Sequence, residues 1–143
     1  MEKRKFDFQK DFIFGQTYER IIAGQLEKLL NMKLDHFNDN NLYDIMMEDL
    51  TTYEIKVDRN FKRYNTFFIE FQCNSKPSGI NTSESDYYVL TDESLFYVMK
   101  TNLLKNLVKI NNYAIRCCNN TSYGYIVPLD EIINICWFAG VVN

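Results

Sequence analysis

The chain has 143 residues, 46% of them hydrophobic and 15% aromatic, which is enough apolar material for one folded domain and excludes intrinsic disorder. Its formal net charge is −3, the opposite sign from the basic surface that favours non-specific nucleic-acid binding. No stretch approaches the roughly 20 apolar residues of a membrane-spanning helix, so we expect one soluble intracellular domain over residues 1–143, cytoplasmic in a cell or carried by a virus into its host, with no membrane partner.

The first predicted element is an amphipathic helix. Apolar residues recur at three- and four-residue spacing over residues 18–30, which predicts a helix that begins just after Gly15. Glu19 borders the apolar stripe, where a carboxylate needs a partner. It is either a first-turn glutamate that the helix dipole stabilises or a ligand that reaches a site on the sheet. The residues before the helix form a basic arm: Lys3, Arg4, Lys5 and Lys10.

The next two predicted elements are strands that carry charged residues. Residues 42–46 predict a first strand with Asp44, and residues 53–57 predict a second strand. Because successive side chains of a strand point to opposite faces, Glu54 and Lys56 share one face of the second strand and the apolar residues share the other. The sequence therefore predicts a charged face on a strand with a buried apolar face.

A third strand, over residues 64–72, sets Glu70 on one face and apolar residues on the other. We expect it to be the next strand of the meander, so that Glu70 lies near Glu54. The polar segment 73–86 follows as a loop beside these residues, with a short helix near 81–85.

The second half of the chain predicts further strands and a helix. A hairpin is predicted from residues 87–90 and 95–99, a helix from Thr101 or Asn102, a strand over 123–127, and a closing element over 129–137 that is a candidate dimer surface. We expect an α/β domain whose central mixed β-sheet is flanked by helices.

Carboxylates beside an ammonium on neighbouring strands are suited to hydrolysis of a phosphodiester with magnesium. Mg²⁺ prefers about six oxygen ligands at roughly 2.0–2.1 Å and keeps several waters. Asp44 and Glu54 are the candidate ligands, and the main-chain carbonyl of Ile55 would supply a further oxygen. Lys56 would position the attacking water or help to deprotonate it, and would offset the negative charge that forms at the phosphorus. Glu70 would hold a second ion. We expect Mn²⁺ to substitute for Mg²⁺.

The order Asp44, a gap, and then Glu54-x-Lys56 resembles the motif of the PD-(D/E)xK nuclease superfamily. The resemblance covers about residues 15–86 in the order helix, strand, strand, strand. It implies the restriction-endonuclease-like fold, a further active-site glutamate on the helix, here Glu19, and a homodimer that cuts DNA. Small Holliday-junction resolvases and phage-type nucleases are similar in size, so we expect a resolvase-like endonuclease.

Basic and hydroxyl residues beside the predicted site are candidate contacts to the nucleic-acid backbone. Their local positive charge would offset the negative charge of the whole chain. An ordinary solvated turn or connection explains the same residues equally well. The candidates are Arg59, Lys62, Arg63, Lys76 and Ser78.

Histidine and cysteine usage excludes several other classes of enzyme. His36 is the only histidine and is predicted to lie in a loop, so His-rich zinc sites and Ser-His-Asp hydrolysis are not expected. The four cysteines show no C-x-x-C spacing, and we expect reduced thiols in strands or in the core.

Two classes without catalysis stay open. One is a nucleic-acid-binding module that keeps the nuclease fold but has lost activity. The other is an assembly protein in which Glu54 and Lys56 belong to a cross-strand ion pair on an exposed face. The sequence does not distinguish DNA from RNA or branched from linear substrates.

Overall fold

The structure is a computed structural model that describes residues 2–38, 40, 42–58 and 64–143, and the side chains of residues 10 and 12–143 within them. Within this part of the chain there are three α-helices, namely α1 (Glu2–Leu30), α2 (Thr101–Ile110) and α3 (Leu129–Ile135). The strands are β1 (Leu34–Phe37), β2 (Ile45–Met47), β3 (Thr52–Val57), β4 (Thr66–Cys73), β5 (Lys76–Pro77), β6 (Tyr87–Thr91), β7 (Leu95–Lys100), β8 (Ile115–Cys118), β9 (Ser122–Pro128) and β10 (Cys136–Val141).

The strands form two sheets. A six-stranded mixed sheet has the order β1-β2-β3-β6-β7-β10, and a four-stranded antiparallel sheet has the order β5-β4-β9-β8. In the larger sheet β3 and β6 are parallel, with Tyr53 opposite Tyr87 and Val57 opposite Thr91. An α/β protein with a mixed sheet was predicted and is confirmed.

The placement of β4 in the second sheet corrects the prediction that it follows β3 in one meander. Parallel neighbours need a long crossover connection, and the chain between β3 and β6 makes this crossover. The crossover contains β4 and β5, so Glu70 reaches the region of Glu54 from a different sheet.

Both faces of the six-stranded sheet are buried. On one face, Ile22 and Leu26 of α1 pack with Tyr53, Ile55 and Val89. On the other face, the four-stranded sheet packs together with α2 and α3, and this second core includes Phe67, Ile69, Tyr88, Met99, Leu104 and Ile132. The layers are therefore one helix, the large sheet, and then the small sheet with two helices, where the sequence predicted a helix on each side.

Helix α1 begins at Glu2, so the prediction that it begins after Gly15 is wrong. A glycine inside a helix costs only about 1 kcal/mol relative to alanine, and a 29-residue helix without proline tolerates that cost. The segment predicted as a basic arm is thus helical. Phe12 and Ile13, on the N-terminal half of the helix, are exposed.

Three further boundaries differ from the predictions. His36 lies in strand β1, because this segment pairs with β2 and does not form a loop. Asp44 immediately precedes β2 and is not inside a strand over 42–46. In the polar segment, the short helix is a 3₁₀ turn at Gly79–Asn81, earlier than predicted, where a glycine with a positive φ starts it.

The predicted hairpin and the predicted start of the second helix are confirmed. Strands β6 and β7 form an antiparallel hairpin, and α2 begins at Thr101. The cysteines lie in β4, β8 and β10, and the described residues contain no disulfide. No helix in the described part of the chain is long and apolar enough to cross a membrane.

Candidate active site

Asp44 is fixed at the point where β2 stops pairing with β3. The last pair of the two strands is Ile45 opposite Tyr53. The main chain of Asp44 donates a hydrogen bond to the carbonyl of Tyr53 (3.0 Å), and its carboxylate accepts one from the amide of Ile55 (2.7 Å). The side chain thus takes the place of a strand partner, and its carboxylate lies against the Glu54-Ile55-Lys56 segment.

The same geometry bears on the predicted carbonyl ligand, Ile55. In a strand, the N–H and C=O of one residue point to the same side of the strand. Because the Ile55 amide is directed toward Asp44, its carbonyl is directed to that edge as well. The structure therefore brings this oxygen to the side of β3 where the Asp44 carboxylate lies.

Glu54 and Lys56 share one face of β3, as predicted. The Lys56 ammonium lies 3.4 Å from a carboxylate oxygen of Glu54. Glu54 is only 5% exposed, and burial together with the negative charge of Asp44 raises its pKa to about 7 against the opposing effect of Lys56. The carboxylate of the pair is therefore buried, whereas the Lys56 side chain is 43% exposed.

Lys56 stays protonated in this environment. Burial lowers its pKa, but Tyr88 and the carboxylates of Glu54, Asp44 and Glu70 more than offset that effect and raise it above the usual range of a lysine. Lys56 thus carries a positive charge beside the carboxylates, which suits the predicted charge compensation.

Tyr88 is a residue of the site that sequence reasoning missed. It lies opposite Glu54 in the parallel β3–β6 ladder and is 1% exposed. Burial raises its pKa, so its hydroxyl remains neutral. A tyrosine in a buried strand carries no special signal, and only the parallel register between two distant segments places it beside Lys56.

Glu19 approaches from α1. Burial and the charge of Asp44 raise its pKa to about 7, against the opposing effects of Lys56 and Arg20. Since α1 begins at Glu2, Glu19 is in the middle of the helix and not in its first turn. With Lys56 it lines a cavity of about 260 Å³ between α1 and the edge of β3.

Glu70 enters the site from the second sheet. With Asp44, Glu54, Lys56 and Ser78 it lines a cavity of about 210 Å³. The Ser78 hydroxyl donates a hydrogen bond to the Glu70 carboxylate (3.0 Å). The structure thus brings together all five predicted catalytic side chains across two adjoining cavities, since Lys56 lines both.

A glycine holds the loop after β4 close to Glu70. Gly79 has a φ of +53°, a conformation that L side chains rarely adopt. A Cβ atom there would lie 2.2 Å from the carbonyl oxygen of Glu70, so no larger residue fits without a shift of the backbone. This close approach positions Ser78 on the wall of the cavity.

The structure describes two of the five residues predicted to contact nucleic acid, Ser78 and Lys76. Ser78 lines the 210 Å³ cavity, whereas Lys76 is exposed in β5 and is not part of its wall. Arg59, Lys62 and Arg63 lie outside the described residues.

The donor set fits a hard divalent cation. Every candidate ligand atom is an oxygen, and one or two carboxylates suffice for Mg²⁺, which keeps most of its waters. Burial and the negative charge of Asp44 raise the pKa values of Glu19 and Glu54, and a cation would relieve both effects. Among the described residues, however, no three His, Cys, Asp or Glu side chains form a compact ready-made metal group.

No protein-family model, curated protein or solved structure matches this chain. The resemblance to nucleases therefore depends on the site residues and their order alone. It stays a prediction.

Proposed function

We propose that this protein is a magnesium-dependent endonuclease of the restriction-endonuclease-like class, which hydrolyses phosphodiester bonds of DNA and of branched DNA in particular. One observation carries the proposal. The Asp44 carboxylate is 2.7 Å from the amide of Ile55, so it lies beside a glutamate and a lysine that are themselves paired at 3.4 Å. This is the juxtaposition that the Asp, Glu-x-Lys pattern requires.

The residues have distinct functions in the proposed reaction. Asp44, Glu54 and the Ile55 carbonyl would hold magnesium, with Glu70 as the candidate ligand of a second ion. A bound magnesium ion polarises the phosphodiester and makes water a better nucleophile. Lys56 offsets the negative charge that develops on the phosphate oxygens. Glu19, which lines a cavity with Lys56, is the candidate to orient the attacking water or to accept its proton.

The fold supports the proposal in its order of elements. A helix that carries Glu19 precedes the segment that carries Asp44 and the strand that carries Glu54, and α1 packs on the face of the sheet opposite the second layer. Burial of Glu54 also argues against an assembly protein with an exposed ion pair, because such a pair would leave both charges in water.

Cleavage assays with four substrates test the proposal. The protein is incubated with single-stranded, duplex and four-way-junction DNA and with RNA, in Mg²⁺ or Mn²⁺. We expect at least one substrate to be cut, and Lys56→Ala to lower the rate about 10²–10³-fold. Lys28→Ala, an exposed lysine in the last turn of α1, is the matched control and should cleave normally. If the wild type leaves every substrate intact, the proposal is wrong.

Calorimetry distinguishes an inactive relative from an enzyme. An endonuclease should bind Mg²⁺ or Mn²⁺ with measurable heat that Asp44→Asn abolishes. A protein that binds nucleic acid but shows no such heat and no cleavage would be a binding module with the nuclease fold.

A homodimer is part of the proposal, because a branched substrate that is cut on two strands needs two active sites. Strand β10 forms an edge of the six-stranded sheet, and Trp137 on it is 47% exposed. Light scattering of the wild type and of Trp137→Ala measures the mass in solution. A monomeric wild type would remove the dimer from the proposal and leave the hydrolysis intact.

A further inference from the structure

A larger cavity, of about 460 Å³, adjoins the proposed catalytic site. Its floor is the face of the four-stranded sheet that points away from the core. Phe67 and Ile69 of β4 are in the core, and the alternate residues Thr66, Phe68 and Glu70 line the cavity. Helix α1 contributes Phe14 to its wall. We call this cavity the aromatic cleft.

The aromatic cleft combines flat rings with a cation. The Arg116 guanidinium lies over the Tyr64 ring, 5.3 Å from its centroid, and Tyr64 is 46% exposed. The Phe68 ring packs closely on Gly124, where a Cβ atom would lie only 2.6 Å from the ring. The exposed Tyr64 side chain, the half-buried Phe68 ring and the guanidinium plane of Arg116 are groups that stack on nucleobases.

Two carboxylates, Asp58 and Glu70, also line the aromatic cleft, and both accept hydrogen bonds from the protein. Asp58 accepts a hydrogen bond from the amide of Phe68 (2.9 Å), and Glu70 accepts one from Ser78. Arg116 is the arginine among the residues that line the cleft. A phosphate would therefore contact Arg116, and a base would contact the rings.

The aromatic cleft is continuous with the proposed catalytic site through one side chain. Glu70 lines both the 460 Å³ cavity and the 210 Å³ cavity that contains Asp44, Glu54 and Lys56. A group bound in the cleft is thus separated by a single side chain from a phosphodiester at the carboxylates. The volume of the aromatic cleft lies within the range of sites that bind small molecules.

We propose that the aromatic cleft holds one unpaired nucleotide beside the phosphodiester to be cut, with the base stacked on Tyr64 and Phe68 and a phosphate against Arg116. The inference rests on the proposed function and deepens it, because it names the substrate class. A paired base is stacked on both sides and cannot enter without leaving the duplex. The preferred substrates are then single strands and the unpaired nucleotides of branches, flaps or gaps.

Binding measurements in EDTA test this inference without cleavage. Fluorescence anisotropy is recorded with labelled single-stranded DNA, single-stranded RNA and duplex DNA of one sequence. The wild type should bind the single strands more tightly than the duplex. Tyr64→Ala should weaken single-strand binding roughly 5- to 150-fold, the loss found for one stacked base, and duplex binding less than about twofold.

Matched variants separate stacking from general effects. Tyr64→Phe keeps the ring and should bind like the wild type, and Arg116→Ala should weaken single-strand binding. Phe37→Ala removes an aromatic side chain of similar exposure, 43% against 46% for Tyr64, on the other sheet. It should leave single-strand binding unchanged.

The outcomes distinguish this inference from the proposed nuclease activity. Single-strand binding that depends on Tyr64, in a protein that cuts nothing, would support the cleft and refute the nuclease. Cleavage of a substrate at equal rates by the wild type, Tyr64→Ala and Arg116→Ala would overturn the cleft and leave the nuclease in place. Equal affinity of the wild type for duplex and single strand, or no binding of either, also overturns it.

Discussion

Two groups of polar side chains in this protein have opposite character. In one, which we call the hydroxyl chain, the hydroxyls of Ser83, Ser85 and Thr101 form hydrogen bonds of 2.9 Å, and the Lys105 ammonium donates to the Ser83 carbonyl (2.7 Å). In the other, which we call the acidic group, Glu54 and Lys56 lie beside Asp44. The hydroxyls of the first group bond to one another, whereas the acidic group keeps the Glu54 carboxylate almost entirely out of water.

The difference separates polar burial that stabilises the fold from polar burial that serves a function. Neutral hydroxyls bonded to one another have a small net effect on stability but are expensive to leave unpaired. Glu54 and Glu19 instead have pKa values raised to about 7, which means that their charged forms destabilise the folded state. Groups kept under such conditions cluster at functional sites.

Removing the charge of Asp44 from the acidic group should change the cleavage rate most. Asp44→Asn keeps an oxygen that can accept the hydrogen bond of the Ile55 amide but removes the negative charge. We expect cleavage to fall about 10²–10³-fold, with no loss of thermal stability, because repulsion on Glu54 and Glu19 is relieved. Rates in Mg²⁺ and thermal unfolding measure both. Asp130→Asn, at an exposed position, is the control, and an equal loss of rate there would contradict the assignment.

The pH dependence of stability comes next. The pKa of Glu54 is raised from 4.5 to about 7 in the folded protein, so the folded state binds the proton more tightly than the unfolded state. The contribution of this protonation to the free energy of unfolding is complete below about pH 4.5 and is lost as the pH rises through about 7. The free energy of unfolding should therefore decrease over this range, and in EDTA Glu54→Gln should remove about 1–3 kcal/mol of the decrease.

Urea unfolding at pH 5 and pH 8 gives the measurement. Glu84→Gln, at an exposed position, should keep the wild-type decrease. If Glu54→Gln keeps it as well, Glu54 is not the group that titrates.

A substitution in the hydroxyl chain should lower the stability of the protein without changing the cleavage rate. Thr101→Val removes the hydroxyl that bonds to Ser85 (2.9 Å), and leaving that buried partner with one bond fewer costs about 1–3 kcal/mol. The cleavage rate per folded molecule should not change. Denaturant unfolding and the rate assay test this, with exposed Thr121→Val as the control. A changed rate at full folding would connect the two groups.

Tyr88 carries a neutral hydroxyl but lies among the charged residues of the acidic group. Tyr88→Phe should lower stability by about 0.5–1.5 kcal/mol and the cleavage rate by less than about tenfold. Thermal unfolding and steady-state kinetics measure the two effects. A rate loss as large as that of Asp44→Asn would give Tyr88 a direct part in the reaction.

Local rules predicted the side-chain arrangement within elements but not the arrangement of elements. Alternation along a strand was enough to place Glu54 and Lys56 on one face. The separation of β4 from β3 was missed, because it follows from the parallel pairing of β3 with β6, between segments more than 30 residues apart. Glu70 does lie near Glu54, but it reaches that cavity from the second sheet and not from the next strand of one meander.

Helix α1 shows the other limit. The break predicted at Gly15 rested on propensity, which is a weak signal against a long helical segment. Glu19 was assigned to the site from the family pattern, and the helix register that aims it at Asp44 came only with the fold.

The parallel alignment of β3 with β6 also sets the order in which the proposed site forms during biosynthesis. A nascent chain contains Asp44, Glu54 and Lys56 well before β6 (Tyr87–Thr91) has been translated. Until then β3 lacks one of its two neighbours in the sheet, and pairing across so long a crossover is slow compared with local structure. Under the proposed function, incomplete chains on the ribosome would therefore carry the whole motif without a formed site, and nucleic acid near the site of synthesis would be spared.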